Sequence, residues 1–394
     1  MNDSNMVNKG SLPGLKEKRY LQKKAIIGFL YRMGELSKPE ICRLTNVTTP
    51  TVSRMIEELI EEGWVIDRGR GNSIGGKRPR VFSLNPDAAY ILGVDVGREF
   101  LRIAIFNLQN EPIEGIFEYP SILEGQDDDA TLKYIKERID ETIERLGVNR
   151  VKTKMCGVAL PGLIDREGNT YTYLTYERPG VKAILEKMLA MPVFIDNDSN
   201  VMAMAEHTFG VAKGINNVLC ISVNECIGLG MILNSKLYRG GIGMAGEFGH
   251  IRISGLNAPC HCGKIGCLET VSSGRAIEKV AGMSLASVIQ SARKDDISAI
   301  ELLHQAGEKL GEGIATMIHL FNPDMVVIGG EVAEAGDLLT VPVQQAMNKY
   351  ALARMRNHCE LVMSNLGGYS AILGTLMMVM EHLYDDAESA YSLY

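Results

Sequence analysis

The sequence predicts an α/β protein in which a small winged helix-turn-helix domain precedes a larger body of two α/β lobes. Two patterns predict this architecture. In residues 1–84, short amphipathic helices joined by a three-residue turn are followed by a basic, glycine-rich hairpin. Over the rest of the chain, apolar strand-like segments alternate with helical ones, which is typical of α/β proteins. The length of 394 residues also favours two or three domains.

Composition and charge restrict the class of protein. Hydrophobic residues make up 46% of the chain and charged residues 23%, which excludes disorder for the whole and leaves enough apolar area for cores. Residues 1–84 hold 15 lysine and arginine residues against nine acidic ones, whereas the remainder holds 26 against 39. A basic N-terminal segment on an acidic body indicates that one end of the protein contacts a polyanion.

The sequence carries no pattern typical of a membrane or secretory segment. Residues 1–10 are polar, unlike the apolar centre of a signal peptide. The longest apolar stretch, residues 371–380, is about half of the ~20 residues that a membrane-spanning helix needs. We therefore expect a cytoplasmic protein without a membrane partner.

A first helix is predicted over residues 15–33. The two helices that follow it have clear start signals in the sequence. Ser37 and Glu40 have the spacing of a capping box, which predicts the start of a short helix. After a turn, Thr49 as N-cap and Pro50 at the first helical position predict a second, amphipathic helix. Two short helices in this arrangement form a helix-turn-helix.

The polar residues of the second helix change in charge along its length, with glutamates confined to the far end. Recognition helices contact base edges with their N-terminal residues, so this order suits DNA. The basic loop 68–79 is predicted to be a wing on phosphates or in a narrow minor groove. The residues predicted to contact double-stranded DNA are Thr49, Thr51, Ser53 and Arg54 of the helix and Lys77, Arg78 and Arg80 of the wing. The alternative is a protein-interaction domain with a solvated charged loop.

The body begins after a short, stiff linker at Asn85 and Pro86. Alternation of strands and helices predicts its α/β class. The predicted strands are 91–97, 100–106, 156–160, 193–195, 218–223 and 325–328, and the predicted helices include 131–146, 199–209 and 302–321.

Three of the eight cysteines, Cys260, Cys262 and Cys267, lie close together on a glycine-containing loop. Zinc takes four tetrahedral ligands, and a site of three cysteines and one histidine is structural. His261, inside the loop, is one candidate for the fourth ligand. The alternative is a group of reduced thiols without metal, and the five scattered cysteines are expected to be buried and inert.

Five motifs, the cysteine loop among them, occur in an order that resembles the ROK family, which unites sugar kinases with sugar-responsive repressors. They are Asp95-Val96-Gly97, Pro161 to Asp165, Asn197 to Asn200, Gly246 to His250, and Cys260 to Glu269. The helix-turn-helix ahead of them resembles the repressor branch. The resemblance implies an actin-like, ribonuclease-H-like pair of lobes with a cleft between them. The expected domains are 1–84, which binds DNA; 85–196, the first lobe, joined by the C-terminal helix 370–394; and 197–369, the second lobe with the zinc loop and an oligomerisation surface.

The resemblance also implies a set of site residues. The family's sugar ligands correspond to Asn197, Asp198, Glu247, His250 and Glu269, and carboxylates and amides are suited to vicinal hydroxyls. Asp198 corresponds to the catalytic base of the kinases. The structural zinc ligands implied are His250, Cys260, Cys262 and Cys267, so that His250 would bind zinc through one ring nitrogen and a hydroxyl through the other.

The two phosphate loops of the kinases are altered in this sequence. Arg98 stands where the first loop has a glycine, and Glu99 where it has a threonine. Glu225 places a carboxylate where the second loop has a threonine, and a pair of like charges at ~4 Å costs about 4 kcal/mol at an effective dielectric constant of 20. Both changes disfavour ATP.

The sequence therefore predicts a regulator rather than an enzyme. We expect a sugar-responsive repressor of carbohydrate-utilisation genes that binds a DNA operator as a homodimer or homotetramer and is released by a sugar or sugar derivative. The alternative enzyme is an ATP-dependent sugar kinase with Asp198 as base, and a third possibility is a body that only docks another protein.

Overall fold

The computed structural model describes residues 15–70, 79–123, 127–171 and 180–391. The helices are α1 (Leu15–Met33), α2 (Lys38–Thr45), α3 (Thr49–Glu61), α4 (Asp128–Leu146), α5 (Val181–Leu189), α6 (Asp198–Thr208), α7 (Glu269–Ser272), α8 (Gly274–Ala281), α9 (Leu285–Ala292), α10 (Ile297–Phe321), α11 (Asp337–Tyr350), α12 (Ala353–Arg356) and α13 (Ser370–Tyr391). The strands are β1 (Leu36–Ser37), β2 (Val65–Arg70), β3 (Arg80–Leu84), β4 (Tyr90–Val96), β5 (Phe100–Phe106), β6 (Phe117–Pro120), β7 (Thr153–Leu160), β8 (Val193–Asn197), β9 (Val218–Val223), β10 (Ile227–Leu233), β11 (Lys236–Leu237), β12 (Met325–Gly329) and β13 (Glu360–Met363).

The N-terminal domain packs α1, α2 and α3 on a small sheet of order β1-β3-β2. Its core contains one face of α3 together with side chains of α1 and of the sheet, all of them buried: Ile26, Leu30, Val52, Ile56 and Phe82. The predicted capping box forms, because the Ser37 backbone N–H donates to the Glu40 carboxylate at 2.8 Å. The winged helix-turn-helix prediction is confirmed.

Two local predictions in this domain were wrong. The N-cap of α3 is Thr48, so Thr49 and Pro50 are its first two helical residues. The missing N–H of proline is tolerated at either position, because the first turn has no intrahelical acceptor for it. β2 continues to Arg70 by pairing with Arg80, which places residues 68–70 in a strand and not in the loop.

The body contains two five-stranded sheets with the same topology. Their orders are β6-β5-β4-β7-β8 and β11-β10-β9-β12-β13. In each sheet, the first strand in sequence pairs antiparallel with the second and parallel with the fourth. The chain therefore builds two similar lobes, as predicted.

The long C-terminal helix α13 lies on the first sheet and also contacts α6. Glycines permit the close approach: a Cβ at Gly157 would lie 2.5 Å from the Thr375 carbonyl oxygen, and one at Gly374 would lie 1.9 Å from that of Val201. The described part of the C-terminal helix, Ser370–Tyr391, thus lies on the sheet of the first lobe, whereas residues 392–394 lie outside the described residues and the domain bounds stay a prediction.

A contact that the sequence did not predict joins the N-terminal domain to α13. Ile27 and Tyr31 of α1 pack against a buried cluster of the first sheet and α13. The Tyr31 hydroxyl also bonds the Asn110 side chain and lies 3.7 Å from the Met377 sulfur. The linker after Leu84 is therefore not the single connection between domain and body. Within the described residues, we find no helix that has both the length and the apolar character needed to cross a membrane.

Candidate functional site

The junction between β8 and α6 places Asn197 and Asp198 at the cleft. The Asn197 side chain caps α6 by accepting from the Ser199 backbone N–H at 2.9 Å, and its amide donates to the Gly162 carbonyl at 3.0 Å. Asp198 follows as the first residue of the helix. Burial raises the pKa of Asp198, while the N–H and hydroxyl of Ser199 and the nearby positive charge of Arg98 act in the opposite direction.

Of the three predicted sugar-binding carboxylates, Asp198 and Glu269 both lie close enough to Glu247 to repel its charge. Burial raises the pKa of Glu247, and repulsion from Asp198 and Glu269 adds to this effect, whereas His250 opposes it. Glu269 is buried at the start of α7, where its carboxylate lies 2.8 Å from His261 Nδ1. The structure thus brings Asp198, which follows the last strand of the first sheet, close to Glu247 and Glu269 of the second lobe.

The backbone that carries Glu247 and His250 is pressed against the second sheet. Gly246 has a φ of +105°, and a Cβ there would lie 2.0 Å from the Leu229 carbonyl oxygen. No other residue fits this position without moving the strand. A 3₁₀ turn, Phe248–His250, follows and directs the imidazole of His250 between Glu247 and the cysteine loop.

The histidine and three cysteines form a compact cluster. The ligand atoms of His250, Cys260, Cys262 and Cys267 all lie within 4.8 Å of one another. The Cys262 and Cys267 sulfurs are 3.8 Å apart, and the Cys260 sulfur is 3.6 Å from His250 Nδ1. A tetrahedral zinc with bonds of about 2.3 Å to sulfur and about 2.0 Å to nitrogen requires separations of about this size. The donor set therefore fits zinc.

The other candidate histidine has a different role in the structure. His261 Nδ1 lies 3.8 Å from the Cys260 sulfur but bonds the Glu269 carboxylate at 2.8 Å. Its possible metal group, Cys260, His261 and Glu269, contains one thiol instead of three. The geometry favours His250 as the fourth ligand. His250 Nε2 is then 3.8 Å from the Glu247 carboxylate, which places one imidazole between the metal group and the cleft.

The altered phosphate loops contact each other across the cleft. Arg98, after β4, forms an ion pair with Glu225, between β9 and β10, at 2.5 Å. Arg275 of α8 donates to the same carboxylate from Nε at 2.7 Å. The sequence showed the Glu225 carboxylate at this turn, but it did not show that two guanidinium groups neutralise its charge.

Further carboxylates surround the same region. Removal from water raises the pKa of Glu331, and the charges of Glu99, Glu334 and Glu278 raise it further. These groups oppose the binding of a polyanion such as a nucleotide triphosphate.

A buried aspartate in the first lobe gives a pH-dependent prediction. Asp95 is 4% exposed, and burial raises its pKa to about 6 although Arg102 lies 3.3 Å away. Between pH 4 and pH 6 the unfolded chain has released this proton while the folded protein retains it, so the folded state loses stability as the pH rises. We expect Asp95→Asn to gain about 2 kcal/mol of unfolding free energy relative to wild type between pH 4 and pH 7. Urea denaturation at both pH values checks this, and parallel profiles would contradict it.

The predicted recognition surface of α3 is accessible. Thr49, Thr51 and Arg54 are exposed, and Ser53 is half-buried. Of the wing residues, Arg80 is exposed and forms an ion pair with Asp67, whereas Lys77 and Arg78 lie outside the described residues.

Two basic residues of α1 neutralise the acidic end of α3, which sequence reasoning missed. Arg19 and Lys23 both bond Glu58, and Lys23 also lies 2.5 Å from Glu62. The hydrogen bond from Lys23 is the main cause that lowers the pKa of Glu58. These glutamates therefore present less negative charge to a phosphate backbone than the sequence alone indicates.

Fold and site together define a transcriptional regulator in which one chain carries a winged-helix DNA-binding domain and a two-lobed body with a polar cleft. The ROK family model matches residues 91–382, and the MarR family model matches residues 21–71. The chain belongs to the ROK family.

Individual relatives agree with this assignment. The xylose repressor of Caldicellulosiruptor bescii is 29% identical over 90% of this chain and 94% of its own length. The crystal structure of a ROK family transcriptional regulator, a homologue of the Escherichia coli Mlc protein, matches 94% of this chain and 99% of its own, with a TM-score of 0.79 and 24% identity. The ROK hexokinase of Thermus thermophilus matches 75% of this chain and 99% of its own, with a TM-score of 0.63 and 27% identity. The two regulators thus match almost the whole chain, whereas the kinase matches three quarters of it. The predictions of the family, of the actin-like fold and of a regulator rather than an enzyme are confirmed.

Proposed function

We propose that this regulator represses genes of carbohydrate use and is released from its operator by a sugar or sugar derivative bound in the cleft. The observation that carries the proposal is a group of carboxylates in a chain that also has an accessible recognition helix. Glu247 and Glu269 lie beside the neighbouring imidazoles of His250 and His261, and Asp198 is close enough to repel the charge of Glu247. Such neighbouring carboxylates suit the vicinal hydroxyls of a sugar. We assign the ligand set Asn197, Asp198, Glu247, His250 and Glu269 to the sugar.

Glu247→Ala tests this proposal together with a sugar panel. Operator binding of the wild type is titrated with neutral hexoses, a pentose, amino sugars and their 6-phosphates. We expect one class to weaken operator binding about tenfold, which requires about 1.4 kcal/mol of coupling. Glu247→Ala should bind the operator as wild type does but respond to no sugar. If no sugar changes operator affinity and the variant behaves as wild type, the body is a dimerisation scaffold instead.

We assign a structural zinc to His250, Cys260, Cys262 and Cys267. A closed site of this composition supplies no reactive position, because all four ligands come from the protein. Its role is to fix the loop between β11 and α7, and through His250 the position of the imidazole at the cleft.

Two routes connect the cleft to the DNA-binding domain in this proposal. The first is the short linker at Asn85 and Pro86, and the second is the packing of α6 on α13 and of α13 on α1. Because Asp198 begins α6, closure of the lobes on a sugar would move the helix that contacts α13. Half-sites of an operator are about 34–36 Å apart, so a change of a few ångströms in the spacing of two DNA-binding domains disfavours DNA.

The regulator is proposed to act as a homodimer or a dimer of dimers in the cytoplasm, where its operator DNA lies. A single helix-turn-helix reads one half-site, and specificity on a genome generally needs two. Contacts between copies are assigned to the second lobe.

A further inference from the structure

In the contact between the two altered phosphate loops, a single carboxylate binds two guanidinium groups. Glu225 receives guanidinium groups from both lobes, Arg98 from the first and Arg275 from the second. The Arg98 side chain is 14% exposed, and the Glu225 side chain 36%. Burial acts to raise the pKa of Glu225, but the two arginines outweigh it and hold that pKa below its ordinary value. The three residues, named here the arginine clamp, form a partly desolvated ion cluster between the lobes.

The arginine clamp resembles an oxyanion-binding site that is already occupied, with the Glu225 carboxylate as the anion. Arginine binds carboxylates and phosphates with the same planar arrangement of N–H donors. Arg98 and Glu225 occupy the two turns that the sequence identified as altered phosphate loops. A carboxylate of the chain itself therefore lies between these turns, held by a cation from each lobe.

The clamp also lies next to the proposed sugar ligands. The positive charge of Arg98 acts on Asp198, which begins α6. On the other side, the Cys226 thiol is influenced by both Arg98 and the buried Glu269. A change in the position of Arg98 therefore changes the electrostatic environment of Asp198, one of the proposed sugar ligands.

We propose that Arg98 and Arg275 form a latent oxyanion site whose resident ligand is the Glu225 carboxylate, and that this internal anion joins the lobes without a nucleotide. Removal of the carboxylate leaves two facing guanidinium groups, which a small oxyanion such as inorganic phosphate can bridge. The effect on sugar affinity rests on the proposed function, whereas the binding of phosphate does not.

Glu225→Ala tests the site by chemical rescue. Calorimetric titration with inorganic phosphate should show binding to Glu225→Ala and none to wild type over the same concentration range. The affinity of Glu225→Ala for the effector sugar should fall about tenfold, within the range of coupling between sites. Saturating phosphate should restore that affinity, while wild type and Arg98→Ala/Glu225→Ala should not respond to phosphate.

Two further variants keep the test decisive. Glu225→Gln removes the negative charge but preserves the size of the side chain. It should lose sugar affinity, yet bind phosphate more weakly than Glu225→Ala does. The comparison separates the effect of the lost charge from that of the space left by the side chain. Glu312→Gln, which removes the partner of Lys309 within α10, is the matched control and should behave as wild type. Circular dichroism establishes that each variant is folded.

The outcomes separate the two proposals. The oxyanion site is refuted if Glu225→Ala binds no phosphate, or if phosphate binds the double variant equally well. The link between the clamp and the cleft is refuted if sugar affinity is unchanged in Glu225→Ala. If no sugar affects operator binding by wild type, the proposed function fails while phosphate binding by Glu225→Ala still decides the oxyanion site.

Discussion

Cys262→Ser is expected to purify without zinc, whereas wild type carries about one zinc per chain. The variant loses one of three thiolates in a cluster whose four ligand atoms all lie within 4.8 Å of one another. Structural zinc sites in small peptides contribute roughly 10–16 kcal/mol of apparent binding free energy at pH 7, so loss of the metal is a large effect. We expect the free energy of unfolding to fall by more than about 4 kcal/mol. Elemental analysis and urea denaturation measure the two quantities.

The same variant tests the connection between metal and cleft. Cys262 is exposed and has no place in the proposed sugar ligand set. Sugar affinity should nevertheless fall in Cys262→Ser, because His250 loses the metal that orients its ring. Cys42→Ser, in the N-terminal domain, is the control and should keep both metal and sugar response. If wild-type protein that is purified without chelators contains no zinc, the assignment of a structural zinc is wrong.

Asp198→Asn is expected to weaken sugar binding by about 10- to 150-fold. A hydrogen bond from a hydroxyl to a charged carboxylate is worth ~1.5–3 kcal/mol, and the substitution replaces that carboxylate by an amide of the same size. Operator binding without sugar should not change, because Asp198 lies at the start of α6 in the body and not in the DNA-binding domain. Calorimetry with the effector sugar and operator titration measure the two properties.

Asp337→Asn is the matched control for this experiment. Asp337 is also a first-turn aspartate, at the start of α11, and it is exposed in the second lobe. It should leave sugar affinity unchanged. Sugar-dependent ATP hydrolysis by wild type that is abolished in Asp198→Asn would instead support the kinase alternative.

Local sequence patterns were sufficient for most of the elements. The helix-turn-helix, the apolar strands and the junction at Asn197 follow from hydrophobic periodicity and capping signals that act over a few residues. The errors at Thr49 and at residues 68–70 have a similar origin. Helix starts differ by one residue at little cost, and the length of β2 depends on its partner β3 and not on its own composition.

The sequence by itself determined the DNA-binding domain, the α/β body, the cysteine loop and the loss of the phosphate loops. Each of these is encoded by residues adjacent in the chain. The tertiary structure placed His250, the histidine that the family resemblance implied, against the three thiols. It alone decided that Arg98 and Arg275 surround Glu225, and that α13 contacts α1. These contacts join residues that are far apart in sequence, and such pairs form only when the fold brings their strands and helices together. No local periodicity records them, because each partner taken alone carries no signal of the distant residue that it contacts.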